Sequence, residues 1–264
     1  MTDDRQHHDA PADDEPADDA LSTRGLSYVI PAYNEERSIA RMAEAAREAA
    51  ADLIDLGEID AYEIVIVDDA STDSTAAVCA GLADADPNVI VLRNETNLKL
   101  GGTLRAGFAR ARGHWVLYTD ADLPFDLWEL RTAFRLLRTY DADVVSAYRL
   151  SRTGEGLRRL IYSHIYNTMI KVRFGLKVRD VNFAGKLMRR AVLDAVTLTS
   201  EGSFIDAELL IRAERAGFRV VQFGVDYFPR TRGVSTLSSW NVIRTLLDEM
   251  RQIGPDLDRG RNAS

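Results

Sequence analysis

A chain of 264 residues with 46% hydrophobic and 28% charged side chains is sized for one large domain with a substantial core. Its one cysteine, Cys79, excludes a disulfide framework and a cysteine-based metal cluster, and suits a reducing, cytoplasmic setting. No run approaches the ~18 continuous apolar residues a membrane-spanning helix needs, and the opening lacks the basic-then-apolar order of a secretory signal.

The net charge of −8 is local. Asp3, Asp4, Asp9, Asp13, Asp14, Glu15, Asp18 and Asp19 stand against Arg5 in the first 20 residues, leaving a near-neutral body with no field for nucleic acid. Such an opening cannot bury enough apolar surface to order itself. Residues 1–25 are therefore expected to form a disordered acidic tail, 26–253 a single domain and 254–264 a flexible end.

The domain begins with an apolar run, 26–30, that reads as a buried strand ending at Pro31. Residues 35–56 follow with Ile39, Met42, Ala46, Ala49 and Leu53 at helical spacing. A second strand at 63–67 leads to Ser71-Thr-Asp-Ser-Thr75, whose capping chemistry starts a helix running to Ala85. A strand at 88–92, a helix at 101–112 and a strand at 114–118 complete the alternation. This pattern means a parallel sheet wrapped by helices, which binds ligands beyond the C-terminal ends of its strands. Farther on, helices are predicted over 126–140, 158–174, 206–216 and 239–253, and strands over 143–147, 181–188 and 219–228.

Carboxylates stand at three strand ends: in Pro31-Ala-Tyr-Asn-Glu-Glu36, in Asp68-Asp-Ala-Ser-Thr-Asp73 and in Thr119-Asp-Ala-Asp122. Their mutual repulsion is costly unless a cation or hydrogen-bond donors on a ligand compensate. Asp120 and Asp122, separated by Ala121, can present hard oxygen ligands to Mg²⁺ or Mn²⁺, ions that keep positions open for water and phosphate. A lone Asp-x-Asp is ordinary turn chemistry. Third in a series of acidic strand ends, it reads as a cation site. The four histidines form no metal motif.

Val29-Ile-Pro-Ala-Tyr-Asn-Glu-Glu36, Val65-Ile-Val-Asp-Asp-Ala-Ser-Thr-Asp-Ser-Thr75 and Tyr118-Thr-Asp-Ala-Asp122 resemble, in order and spacing, the three signatures of family 2 glycosyltransferases with the GT-A fold. The Asn97 to Gly107 stretch (Asn-x(3)-Gly-Gly-x(2)-Arg-x-Gly), Asp180-Val-Asn-Phe-Ala-Gly-Lys186 and Arg230-Thr-Arg-Gly-Val-Ser235 resemble the polyprenyl-phosphate sugar transferase branch, which includes dolichol-phosphate mannose synthase. The resemblance covers roughly 26–253. The chain departs from the branch at Pro124, where Gln is frequent, at Thr236, where Lys is frequent, and at Phe183-Ala-Gly185, where Ser-Gly-Phe is usual.

The resemblance implies an α/β domain of the GT-A type, with a mostly parallel central sheet flanked by helices. It implies an inverting, metal-dependent enzyme moving a hexose from a UDP- or GDP-sugar to a polyprenyl phosphate at the cytoplasmic membrane face, with peripheral membrane contact. At matching positions, Pro31, Tyr33 and Glu35 would line the nucleoside pocket, Val67 and Asp69 would hold the base, and Asp120 would meet the ribose or metal. Asp122 would ligate the cation bridging the diphosphate, with Ala121 between the two acids. Lys186 and Arg230 would add fixed positive charge near the phosphates. A nucleoside-diphosphate leaving group develops negative charge, which a divalent cation stabilises without a proton donor.

On the acceptor side, Arg149, Arg158 and Arg159, with Ser163, sit where the branch places its acceptor-phosphate cations, and Ser235 joins the substrate-binding set. A phosphate acceptor is already ionised and needs positioning, whereas a hydroxyl acceptor needs a general base. Asp206 is the candidate base, with helix capping as its equal alternative. Asp180 is expected to anchor a loop or position cations, Asp73 to cap, and Gly101 and Gly102 to permit close helix packing. Asp68 stands between ligand contact and cap. The helix at 158–174 carries Leu160, Ile161, Ile165, Met169 and Val172 beside Arg158, Arg159, Lys171 and Arg173. That pattern suits a core-facing helix or a lipid-docking one. Two rivals remain open at this point: a soluble hydroxyl or glycan acceptor, and a nucleotide-sugar-binding domain without turnover.

Overall fold

A computed structural model describes residues 21, 23–151, 157–227 and 240–259. The first apolar runs become β1 (Leu26–Ala32), β2 (Tyr62–Asp68), β3 (Val89–Arg93) and β4 (Trp115–Tyr118). Between them lie α1 (Ile39–Asp55), α2 (Thr75–Ala85) and α3 (Lys99–Arg110). A single 3-10 turn, Leu127–Glu129, opens α4 (Leu130–Thr139), followed by β5 (Val144–Arg149) and α5 (Leu157–Phe174). The chain then forms β6 (Lys186–Arg189), α6 (Arg190–Ala195), α7 (Ile205–Arg215), β7 (Val220–Val225) and α8 (Trp240–Arg259).

The strands form one sheet in the order β3-β2-β1-β4-β6-β5-β7. Every pairing is parallel except those of β6, which runs antiparallel to both β4 and β5. From β1 the chain builds outward through β2 and β3, then returns to place β4 on the other side of β1. The loops after β1 and β4 consequently diverge, opening a crevice where such sheets bind ligands.

Alternate residues of β1 serve opposite layers, as strand geometry requires. Tyr28 and Ile30 pack with Met42, Leu53 and Phe134 on one face, while Val29 packs with Leu104, Phe108 and Phe204 on the other. Helix α3 comes unusually close to the sheet: a β-carbon on Gly107 would lie 2.5 Å from Val29 and 3.2 Å from Val67. That approach seals the Val67 side chain beneath α3.

Several boundaries differ from expectation. Residues 35–38 make a turn, with the Ser38 and Ile39 amides donating to the Glu35 carbonyl, so α1 starts later. The strand expected at 181–188 shrinks to β6, because residues 181–185 turn around Asp180. Helix α6 is an addition to the expected elements. Helix α8 continues through Pro255 to Arg259 with Leu257 buried, so the expected end at Ile253 is passed by more than a turn. Of residues 1–25, expected as a disordered acidic tail, 1–20 and 22 lie outside the described residues, while 23–25 join the fold: Arg24 donates to the Gly57 carbonyl at 3.0 Å and the Gly25 carbonyl accepts from the Trp115 amide at 2.9 Å.

Candidate active site

The loops after β1 and β2 are laced together. Asn34, at φ 56°, accepts at Oδ1 from the Thr72 amide (2.9 Å), while its own amide donates to the Ser71 hydroxyl (3.0 Å). The Glu35 amide donates to Thr75 Oγ1 (2.8 Å), and the Ser74 amide donates to Glu36 Oε2 (3.0 Å). Asp73 stands one residue before Ser74, the N-cap of α2, and accepts from the Thr75 amide at 2.9 Å, so it braces the first turn without holding the cap position itself. Burial opposes its ionisation, but the hydrogen bonds from Thr75 outweigh that and hold the carboxyl below its ordinary range. Asp68 is sealed; its Oδ1 accepts from the Ser71 amide at 3.0 Å, while Oδ2 makes no hydrogen bond and lies 3.5 Å from Arg93 Nε.

On this frame, Pro31 and Glu35 are half-buried and Tyr33 is exposed at the crevice rim. Glu35 accepts from the Ser38 hydroxyl at 2.5 Å. Asp69 is buried, and its Oδ1 accepts from Asn94 Nδ2 (2.8 Å) and the Leu98 amide (2.7 Å). It therefore pins the loop after β3 to the loop after β2. Asn34 and Asn94 were not singled out beforehand; an asparagine at the strand end, tolerant of positive φ, was the available signal for the first.

Asp120 and Asp122 follow β4 and are half-buried, with Ala121 sealed between them. Beneath them stands Tyr118, whose hydroxyl donates toward Asp120 Oδ1 at 3.5 Å. Burial first, then the negative charges of Asp120, Asp206 and Asp122, push the Tyr118 hydroxyl well above its ordinary pKa. Three carboxylates thus share the field at one phenol. Sequence reasoning missed Tyr118 as a functional residue, although it immediately precedes the acidic motif.

Lys186 and Asp206 overturn their expected roles. Lys186 is 0% exposed and donates to Asp206 Oδ1 (2.5 Å) and the Phe183 carbonyl (2.8 Å), with its ammonium 5.4 Å from the Tyr118 ring centre. It does not project toward bound phosphates, because antiparallel β6 turns it inward opposite Tyr118. Asp206 is 2% exposed. Burial raises its pKa despite the Lys186 contact. A sealed carboxyl committed to an ammonium cannot collect a proton from an incoming hydroxyl, so Asp206 is not the general base.

Arg149 is likewise committed. Its guanidinium binds Asp180 in bidentate fashion, Nε to Oδ2 at 2.7 Å and the second nitrogen to Oδ1 at 2.6 Å, and packs over Tyr227 and Phe183. Asp180 therefore anchors a cation, one of the two roles expected for it. The expectation that Arg149 meets the acceptor phosphate directly is revised to holding the Asp180 turn. Arg158 and Arg159 lie on α5, with side chains outside the described residues; Arg230 and Ser235 lie outside them altogether. Ser163 is half-buried near Asn167.

The wall across the crevice is built by close approach. A β-carbon on Gly101 would fall 2.0 Å from the Ser200 carbonyl oxygen, and one on Gly102 would fall 2.5 Å from Leu98. The Gly101 amide donates to the Glu201 carbonyl at 2.7 Å. Buried Glu208 holds the same segment by accepting from the amides of Thr199 and Ser200 (2.8 Å for Ser200). Glu249 of α8 accepts from the Gly202 amide at 2.6 Å, tying the C-terminal helix to this wall.

The donor set fits a hard divalent cation: two half-buried carboxylates, one residue apart, in a field already crowded with negative charge. Among the described residues no group of three or more His, Cys, Asp or Glu is placed to hold an ion alone. An ion here would have to complete its shell from water and a ligand's phosphate oxygens.

The family model for glycosyl transferase family 2 matches residues 27–197. Polyprenol monophosphomannose synthase of Mycolicibacterium smegmatis is 31% identical over 233 residues, covering 83% of each chain. Glycosyltransferase AglD of Haloferax volcanii is 31% identical over 225 residues, which are 83% of this chain but 36% of that one, so the chain spans about a third of that relative. Among solved structures, glucosyl-3-phosphoglycerate synthase from Mycobacterium tuberculosis, in complex with Mn²⁺, UDP-glucose and phosphoglyceric acid, superposes with a TM-score of 0.60 at 23% identity. That match covers 86% of this chain and 79% of the other. The chain has the GT-A fold and belongs to family 2 of the glycosyltransferases, within the branch of polyprenyl-phosphate sugar transferases.

Proposed function

We propose that this glycosyltransferase moves a hexose from a UDP- or GDP-sugar to a polyprenyl phosphate at the cytoplasmic membrane face, with inversion. The observation that carries the acceptor is the state of Asp206: the one side chain expected to serve as base is sealed against Lys186. A phosphate acceptor is ionised at neutral pH and needs no base. The M. smegmatis relative, named for a polyprenol product, supports the same reading over 83% of each chain.

In the proposed step an acceptor phosphate oxygen forms a bond to the anomeric carbon as the bond from that carbon to the donor diphosphate breaks. The electron pair leaves with the nucleoside diphosphate. Pro31, Tyr33 and Glu35 line the nucleoside side of the crevice, and the Asp69 clamp keeps the base end of the wall in place. Asp120 and Asp122 would hold Mg²⁺ or Mn²⁺, which when bound neutralises charge developing on the leaving diphosphate. Tyr118, kept protonated first by burial and then by the surrounding acids, donates toward Asp120 from below. A protein of the same fold solved with Mn²⁺ and UDP-glucose supports this cation assignment.

The test is incubation with radiolabelled UDP- and GDP-hexoses, Mg²⁺ or Mn²⁺ and a polyprenyl phosphate, followed by partition into organic solvent. Label in the organic phase, dependent on the lipid phosphate, is expected. Label that stays aqueous but is transferred to a soluble hydroxyl compound overturns the acceptor. Neither transfer nor donor hydrolysis with either metal overturns the donor chemistry.

A further inference from the structure

Helix α5 presents the wrong residues to water for an ordinary surface helix. Ile161, Ile165 and Val172 are 48%, 45% and 80% exposed, and their spacing places them on one stripe with His164, Thr168 and Lys171. The opposite face is already satisfied: Ile170 and Phe174 are buried in the core layer that includes Phe204 and Leu246. The apolar stripe is therefore additional to the helix's core contacts.

Charge is segregated along the same element. From 157 to 179 the chain carries Arg158, Arg159, Lys171, Arg173, Lys177 and Arg179 and no acidic residue. An apolar stripe on a segment whose own charges are all positive matches an anionic bilayer surface, whose headgroups attract the cations while the aliphatic groups enter the interface. A soluble partner would need its own acidic-rimmed apolar patch to match as well.

The helix also stands at the correct edge of the sheet. Asn167 of α5 accepts from the Val181 amide at 2.9 Å, next to Asp180, which holds Arg149 at the C-terminal end of β5. The helix thus borders the crevice end at which the acceptor must arrive.

We infer that the outward face of α5, through Ile161, Ile165 and Val172 with Lys171, docks the enzyme on an anionic lipid surface. This rests on the lipid-phosphate acceptor reading for its purpose, but not for its measurement. The full-length protein is floated with vesicles of phosphatidylglycerol and phosphatidylcholine, and with phosphatidylcholine alone, at low and high salt. Wild type is expected to float with the anionic vesicles, less so at high salt. The triple variant Ile161→Ser/Ile165→Ser/Val172→Ser and the single variant Lys171→Glu should bind more weakly, the triple by at least about tenfold. Stabilisation of the triple variant by Mn²⁺ with UDP or GDP, read by thermal shift against wild type, verifies that the fold and donor side persist.

Equal flotation of wild type and the triple variant overturns the inference, as does failure of wild type to bind anionic vesicles. Light scattering that shows a wild-type dimer converted to monomer by the triple substitution also overturns it, because a second copy would then cover the face. If vesicle binding is lost in the variants while no sugar reaches polyprenyl phosphate in any preparation, the docking face stands and the acceptor reading falls. If the triple variant transfers normally to detergent-dispersed polyprenyl phosphate but poorly to vesicles containing it, both stand.

Discussion

The Lys186–Asp206 pair offers the most discriminating test of how the site is supported. The ammonium is fully buried, 2.5 Å from one carboxylate oxygen and 2.8 Å from the Phe183 carbonyl. Removing either partner strands a charge in the interior, which costs about 3–5 kcal/mol. Lys186→Met and Asp206→Leu should each destabilise by that amount, lowering the melting temperature by about 6–20 °C at 2–4 °C per kcal/mol for a domain of this size. The double variant removes both charges and fills similar volume with apolar atoms, so it should recover most of the loss. Urea denaturation of the four proteins gives the coupling directly. Because Lys186 lies under the Tyr118 ring and Tyr118 reaches Asp120, the double variant should transfer sugar more slowly, yet keep the shape of its pH–rate profile. Single variants within about 1 kcal/mol of wild type, the range of exposed pairs, or strictly additive losses, would refute the buried-pair argument. Loss of one limb of the pH profile would restore Asp206 as a base.

Asp122→Ala should leave the fold intact, since it relieves acidic crowding in the free site, and should cut transfer by at least about a hundredfold, the scale for removing one charge-stabilising group. Calorimetry should show Mn²⁺ strengthening UDP or GDP binding in wild type and not in the variant; near-normal kinetics would contradict the cation assignment. Gly101→Ala forces a β-carbon to within 2.0 Å of the Ser200 carbonyl, an overpacking that should destabilise by about 1–3 kcal/mol in thermal melts. A neutral result would show that α3 and the 199–201 segment can separate freely. For Glu208, burial works against ionisation, but hydrogen bonds from Ser200, Arg212 and Thr199 prevail and hold the carboxyl below the usual glutamate range. A folded-state pKa below the unfolded one contributes stability above that value, lost as pH falls through the folded pKa. Glu208→Gln should therefore be less stable at neutral pH by about 1–3 kcal/mol, with a flatter loss of stability on acidification below about 4.5. Parallel acid-unfolding curves would sink this assignment.

Much of the architecture was legible because local signals agreed with the fold. The continuous apolar runs at 26–30 and 63–67 are what a strand buried on both faces requires, and the polar residues that end them mark where the crevice lies. The acidic motif after β4 could be recognised from spacing alone, since its members are adjacent in the chain. Strand 181–188 was misjudged because apolar residues alone do not distinguish a strand from a buried turn, and the Asp180–Arg149 pair that makes the turn spans distant positions. The exposed side of α5 was equally invisible, since an apolar stripe reads the same whether it faces a core or water.

The amino-acid sequence by itself determined the alternating α/β order, the acidic strand ends and the family, because these depend on residue types at short, regular spacing. Only the tertiary structure decided that Lys186 and Asp206 neutralise one another beneath Tyr118, that Arg149 is spent on Asp180, and that Ile161, Ile165 and Val172 face outward. A charged side chain's role depends on which opposite charge the fold brings within reach and on how much water remains. Both are set by contacts between residues far apart in the chain.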